Sequence, residues 1–130
     1  MSVTTNDAFD LRMTYLALDG KGGVTKLPVG PDFWQTLGDN PAANGTLFTP
    51  GAIKSDWTSW EMHPKGEEVI MLLDGDIDFI FETPDGEEAH RMGPGEVIIV
   101  PRGTWHRATV RKPGRMLFLT FGEGTEHKPL

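Results

Sequence analysis

From Thr46 onward the chain is cut by turn signals at short, regular intervals, and this spacing limits its fold more than any other feature. Asp74-Gly75, Thr83-Pro-Asp-Gly86, Gly93-Pro-Gly95 and Lys112-Pro-Gly114 each join residues that favour turns. Between and around them lie short runs with strand character. Trp57 to His63 alternates at period two, with Trp57, Ser59, Glu61 and His63 on one face. Glu68 to Leu73 is a nearly continuous apolar run, ended by the Asp74-Gly75 turn. Asp76 to Glu82 sets Ile77, Phe79 and Phe81 on one side, Asp76, Asp78 and Glu82 on the other. Val97 to Val100 and Met116 to Phe121 complete the series, Met116 to Phe121 being the last clear strand. No long amphipathic helix is present to cover an open sheet, so the pattern predicts an all-β sandwich or small closed barrel. Sixteen glycines and ten prolines among 130 residues fit such a turn-dense chain.

The N-terminal third is less regular. Met1 to Asp10 reads as a loose arm, Arg12 to Leu18 and Val24 to Val29 as short strands around the turn Asp19-Gly-Lys-Gly-Gly23. Pro31 to Leu37 has the spacing for one or two helical turns, with Phe33, Trp34 and Leu37 on one side, and Gly38 to Gly45 is a polar loop. With no repeat or linker to mark a boundary, residues 1–130 read as one domain, its core barrel spanning about 46–121.

Several classes of function are disfavoured by composition. A net charge of −7 gives no basis for holding a phosphate backbone, so nucleic acid is not an expected partner. With no cysteine, disulfides, thiolate nucleophiles and Cys-ligated zinc are excluded. No apolar stretch has the length of a membrane span and the first residues are polar, which makes the cytoplasm the default location. There is no phosphate-cradling glycine loop, serine triad context or dinucleotide fingerprint.

Two glycine-framed segments carry the chemistry. One is Glu61-Met-His63-Pro-Lys-Gly-Glu67-Glu68-Val-Ile-Met-Leu-Leu-Asp-Gly75, the other Gly95-Glu-Val-Ile-Ile-Val-Pro101-Arg-Gly103-Thr-Trp-His106. Together they offer two imidazoles and at least two carboxylates from strand ends, the donor set a divalent metal needs. Glu61 and His63, two apart on a strand, leave the same face. Either Glu67 or Glu68 can turn inward after the Pro64-Lys-Gly66 loop.

These segments resemble the paired signature of the cupin superfamily, G-x5-H-x-H-x(3–4)-E-x6-G followed by G-x5-P-x-G-x2-H-x3-N. The second half matches at Gly95, Pro101, Gly103 and His106, the first at His63, Glu68 and Gly75. Ser55 stands at the usual leading glycine, Val110 at the usual asparagine and Glu61 at the first histidine. The resemblance implies a double-stranded β-helix, or jelly-roll barrel. It selects Glu68 over Glu67 and gathers Glu61, His63, Glu68 and His106 around a divalent ion, Mn²⁺, Fe²⁺, Ni²⁺ or Zn²⁺. For Glu61 three readings stay open: a fourth ligand, a catalytic base beside the metal, or a mark of a site that has lost its metal. Two carboxylates would cancel the ion's charge, where three histidines and one glutamate leave +1.

The resemblance further implies a small organic substrate and an enzyme of dioxygenase, isomerase, epimerase, lyase or decarboxylase type. The alternative is a non-catalytic module that binds or senses a small ligand. It also implies a homodimer, for which Trp60, Met62, Phe48 and the N-terminal arm could supply surface. Other candidates have plainer readings. His90 and His127 are expected to be structural, Trp60 and Trp105 to serve core or subunit packing, and Phe79 and Phe81 to fill the barrel. Trp57 could line a pocket mouth. Arg102 and Arg107 could meet an anionic substrate, although exposed arginines usually face solvent.

Overall fold

A computed structural model describes residues 7–40 and 44–130. Nine strands form among these residues, all antiparallel in their pairings. They are β1 (Thr14–Leu18), β2 (Val24–Pro28), β3 (Thr46–Ile53), β4 (Ser59–Met62), β5 (Glu68–Thr83), β6 (Gly86–Met92), β7 (Val97–Val100), β8 (His106–Thr120) and β9 (Glu126–Pro129). The helical elements bounded within the described residues are α1 (Phe33–Thr36) and a 3₁₀ turn at Leu37–Asp39. The expected all-β class holds. Of the expected N-terminal arm, residues 1–6 lie outside the described part, as do residues 41–43 of the expected polar loop. No described helix is long and apolar enough to cross a membrane.

The architecture hangs on the long strands β5 and β8, which pair along nearly their whole length. One half of that pair, Glu68 to Leu72 against Met116 to Thr120, belongs to a sheet ordered β2-β1-β3-β8-β5-β7. The other half, Asp76 to Phe81 against His106 to Lys112, belongs to a sheet ordered β9-β4-β8-β5-β6. The core fills the space between the two halves: Ile53, Ile70, Leu72, Ile77, Phe79, Met92, Val100, Ala108 and Met116 form one buried cluster. A smaller cluster of Ala17, Leu27 and Leu47 packs with Tyr15, Phe33 and Leu37.

Two expected turns are corrected here. Asp74-Gly75 and Lys112-Pro-Gly114 do not reverse the chain; each lies inside a continuous strand, and the two face one another across the β5–β8 pair where the register slips. A facing pair of irregularities bends both strands together and lets one ribbon serve two sheets. Gly75 has φ +105°, and a Cβ there would press within 2.8 Å of the Lys112 carbonyl oxygen, so glycine is needed for backbone and for space. Arg115 bonds Asp74 at this bend, and Arg111 bonds both Asp76 and Asp78. A further correction concerns the C-terminus: Glu126 to Pro129, with no apolar alternation, forms β9 against β4.

Candidate metal centre

Four side chains meet where β4, β5 and β8 come together. Glu61 lies directly opposite His106 in the β4–β8 register, His63 follows the end of β4, and Glu68 opens β5. The turn before β8 uses Gly103 at φ +75°, whose N–H bonds the His63 carbonyl at 2.9 Å and fastens the two segments. His63, Glu68 and His106 are buried, and the Glu61 side chain is partly exposed. The Glu68 Oε1 atom is 3.3 Å from His63 Nε2 and 3.4 Å from His106 Nε2, and a Glu61 oxygen is 3.7 Å from His106 Nε2. Ligand atoms of Glu61, His63 and His106 all fall within 4.8 Å of one another.

Their hydrogen bonds fix how these groups point. Thr125 Oγ1 donates to the Gly122 carbonyl at 2.7 Å, so at 2.8 Å it accepts a hydrogen bond from His63 Nδ1–H. His106 Nδ1 faces the Thr104 carbonyl at 2.9 Å, which can only accept. In their neutral forms both imidazoles therefore carry the proton on Nδ1 and aim the Nε2 lone pair into the site, the arrangement of ligating histidines. Thr120 donates to Glu68 Oε2 at 2.5 Å, leaving Oε1 to face the imidazoles.

His63 Nε2, Glu68 Oε1 and His106 Nε2 are nonetheless buried with no properly aligned hydrogen-bond partner. Buried polar atoms left unmatched cost about 1–3 kcal/mol each, so three at one point need a common partner. A metal–ligand bond of about 2.1 Å puts neighbouring donors about 3.0–3.4 Å apart in octahedral or tetrahedral geometry. Glu68 Oε1 stands at 3.3 and 3.4 Å from the two imidazoles, with Glu61 farther out at 3.7 Å from His106. The donor set fits a divalent ion. Without one, charge balances by proton: burial pulls the His106 imidazolium down, but Glu61, Glu68 and the Thr104 carbonyl outweigh it and hold the group up at about 9. Burial likewise raises the Glu68 carboxyl, and His106, His63 and Thr120 override it to about 2.

A cavity of about 680 Å³ opens onto Glu61, His63 and Glu68. Its walls include Trp57, Phe118, Leu47, Thr49 and Pro50 from the barrel and Trp34 and Leu37 from the helical segment. His106 stacks on Phe79 at 5.6 Å. His127, expected to be structural, also lines this cavity, with Nε2 at 3.6 Å from Glu61 Oε1. No local signal marks it in a polar tail; the β4–β9 pairing, which sets His127 opposite Glu61, places it there. Trp60 is 5% exposed, beneath Arg107 and Lys128, which removes it as subunit surface. Arg107 pairs with Glu87 and does not line the cavity. His90 pairs with Glu88 on β6 and does not line the cavity.

Comparison with known proteins agrees with this architecture. Residues 47–122 match the family model described as a cupin domain. No curated protein matches the sequence. Among solved structures, a cupin-2 domain protein from Shewanella frigidimarina is 16% identical with a TM-score of 0.50, covering 58% of this chain and 69% of its own. Peruvianin-I, a cysteine peptidase from Thevetia peruviana latex, is 20% identical with a TM-score of 0.55, over 66% of this chain and 57% of that one. A recombinant oxalate oxidase in complex with glycolate is 16% identical with a TM-score of 0.54, over 62% of this chain and 45% of that one. Likeness at this identity concerns the fold, and one fold here carries unrelated chemistries. The family model covers more than half of the sequence, and the chain belongs to the cupin domain family.

Proposed function

We propose that this cupin holds one divalent ion (Mn²⁺, Fe²⁺, Ni²⁺ or Zn²⁺) on His63, Glu68, His106 and Glu61, and acts with it on a small organic molecule in dioxygenase, isomerase or lyase chemistry. The observation that carries the reading is the convergence of three buried, unmatched atoms, His63 Nε2, Glu68 Oε1 and His106 Nε2. When bound, the ion would supply a Lewis acid and, where it is redox-active, a centre for electron transfer. The chain's own residues do the rest. Thr125 and Thr104 hold the imidazole tautomers, Thr120 orients Glu68, and Trp57 and Phe118 wall the substrate space. Glu61, partly exposed and facing the cavity, is the residue able to ligate or to take a proton from substrate.

The second reading, a metal-free module that binds or senses a small ligand, draws on the raised His106, whose imidazolium can balance the facing carboxylates. Metal analysis of protein purified without chelators, then reconstituted with each of the four ions, separates the two. One ion per chain supports the first reading; none after reconstitution supports the second.

The functional unit in this reading is a homodimer. On the outer face of the first sheet, Val69 and Met71 lie opposite Ile99 and Val97 on one side and Leu119 and Leu117 on the other, with Phe48 beyond Leu119. Val97 is 55% and Ile99 58% exposed, an apolar patch that a second copy would cover. Ile99→Lys is expected to give monomers in sedimentation at concentrations where the parent protein is dimeric, with metal content unchanged. A monomeric parent, or a dimeric variant, would remove this part of the reading.

A further inference from the structure

We infer that the cavity beside the four site residues is built for an uncharged, ring-sized organic ligand and discriminates against anions, with Glu61 as the residue that sets this preference. The first support is the distribution of cations. All twelve lysines and arginines lie among the described residues, and none of them lines the cavity. Its ionisable walls are instead Glu61, Glu68 and Glu123, together with His63 and His127. Glu123 is already matched by Lys65 at 2.9 Å, outside the set of lining residues, so that pair offers no spare positive charge.

The second support is the balance at the floor. This step rests on the metal reading above: two carboxylates neutralise a divalent ion in full, where the histidine of the family pattern at position 61 would leave one positive charge. Without the ion, even an imidazolium at His106 offsets only one of the two carboxylates it faces, so a negative excess remains and the discrimination is stronger without metal. A carboxylate ligand about 5 Å from Glu61, at an effective dielectric near 20, would be disfavoured by a factor on the order of a hundred before salt screening. The third support is the apolar surface of Trp57, Phe118, Leu47 and Trp34, which rewards a ring or alkyl group. Lys54 lines a separate depression that shares only Trp57, Glu61 and His127 with this cavity, and it offers an alternative anchor for an anion outside the cavity.

Benzamide and benzoate test the inference, being nearly the same shape and differing in charge. Their dissociation constants would be measured by calorimetry on the whole protein, metal-free and Mn²⁺-loaded, with metal content read on the same samples. Benzamide is expected to bind at least ~10-fold more tightly than benzoate to the metal-free protein, with a smaller preference in the loaded one. Glu61→Gln is expected to narrow the metal-free ratio several-fold, and Lys54→Ala to leave it unchanged. Equal or tighter benzoate binding to the metal-free protein overturns the inference, as does a ratio indifferent to Glu61→Gln. So does the failure of both compounds to bind up to their solubility. A protein that never takes up metal defeats the metal reading but still yields the metal-free ratio. A loaded protein that prefers benzoate defeats only the inference about charge.

Discussion

His106→Ala is expected to reduce bound metal to background, while Glu61→Gln weakens retention without abolishing it. His106 is fully buried, its Nε2 faces both Glu68 and Glu61, and its other nitrogen is fixed by Thr104. Removing the imidazole takes away a donor and leaves two carboxylates facing one remaining imidazole. Losing a mere outer hydrogen-bond partner of a metal ligand costs about 10–100-fold in affinity, so losing the ligand should cost more. An amide oxygen in place of the Glu61 carboxylate remains a donor, but a poorer and uncharged one. Elemental analysis of folded, gel-filtered protein checks both variants, with a far-UV spectrum to verify the β-structure. If Glu61→Gln keeps full occupancy while activity toward an identified substrate collapses, Glu61 is the base and not a ligand. Full occupancy in both variants would dissolve the proposed centre.

In chelated, metal-free protein, stability is expected to peak between about pH 4.5 and 6.5 and to fall on either side. His106 titrates at about 9 in the fold against 6.5 ordinarily. A raised value of this kind contributes stability that is complete below 6.5 and is lost as pH rises through 9. The size is on the order of 3 kcal/mol, which for a chain this long is a fall in Tm of about 10 °C. Glu68 titrates at about 2 against 4.5, so its contribution is complete above 4.5 and is lost as pH falls toward 2. Both values describe one set of contacts and are not added together. A bound ion must displace the His106 proton, so metal affinity should rise about tenfold per pH unit between 6.5 and 9 and level off above. Scanning calorimetry with chelator, and metal titrations across that range, check the two halves. A Tm that is flat from pH 6.5 to 9 would contradict them.

How far the sequence reaches can be judged residue by residue. The strands of the barrel were legible because their signals are local: period-two alternation at Trp57 to His63, apolar runs, and turn residues between them. His63, Glu68 and His106 were legible because glycine-framed turns set the strand ends that carry them. Asp74-Gly75 and Pro113-Gly114 misled for an instructive reason. Each is a sound turn signal alone, but the ladder between β5 and β8 is long enough to hold both strands through the irregularity and convert two turns into one shared bend. Strand β9 was hidden because Glu126-His-Lys-Pro129 has neither apolar alternation nor β-branched residues, and pairs only because the edge of β4 is there to receive it. With β9 went the placement of His127, a residue whose local sequence is polar and whose neighbour, Glu61, is 66 positions away along the chain.

The most direct test of the proposed centre is an anomalous difference map from crystals of the Mn²⁺-treated protein. A single strong peak per chain is expected in contact with Nε2 of both His63 and His106 and with Oε1 of Glu68, with a Glu61 oxygen beside it. A map with no peak there, or one in which His63 Nε2 and His106 Nε2 are each bonded to water, would contradict it.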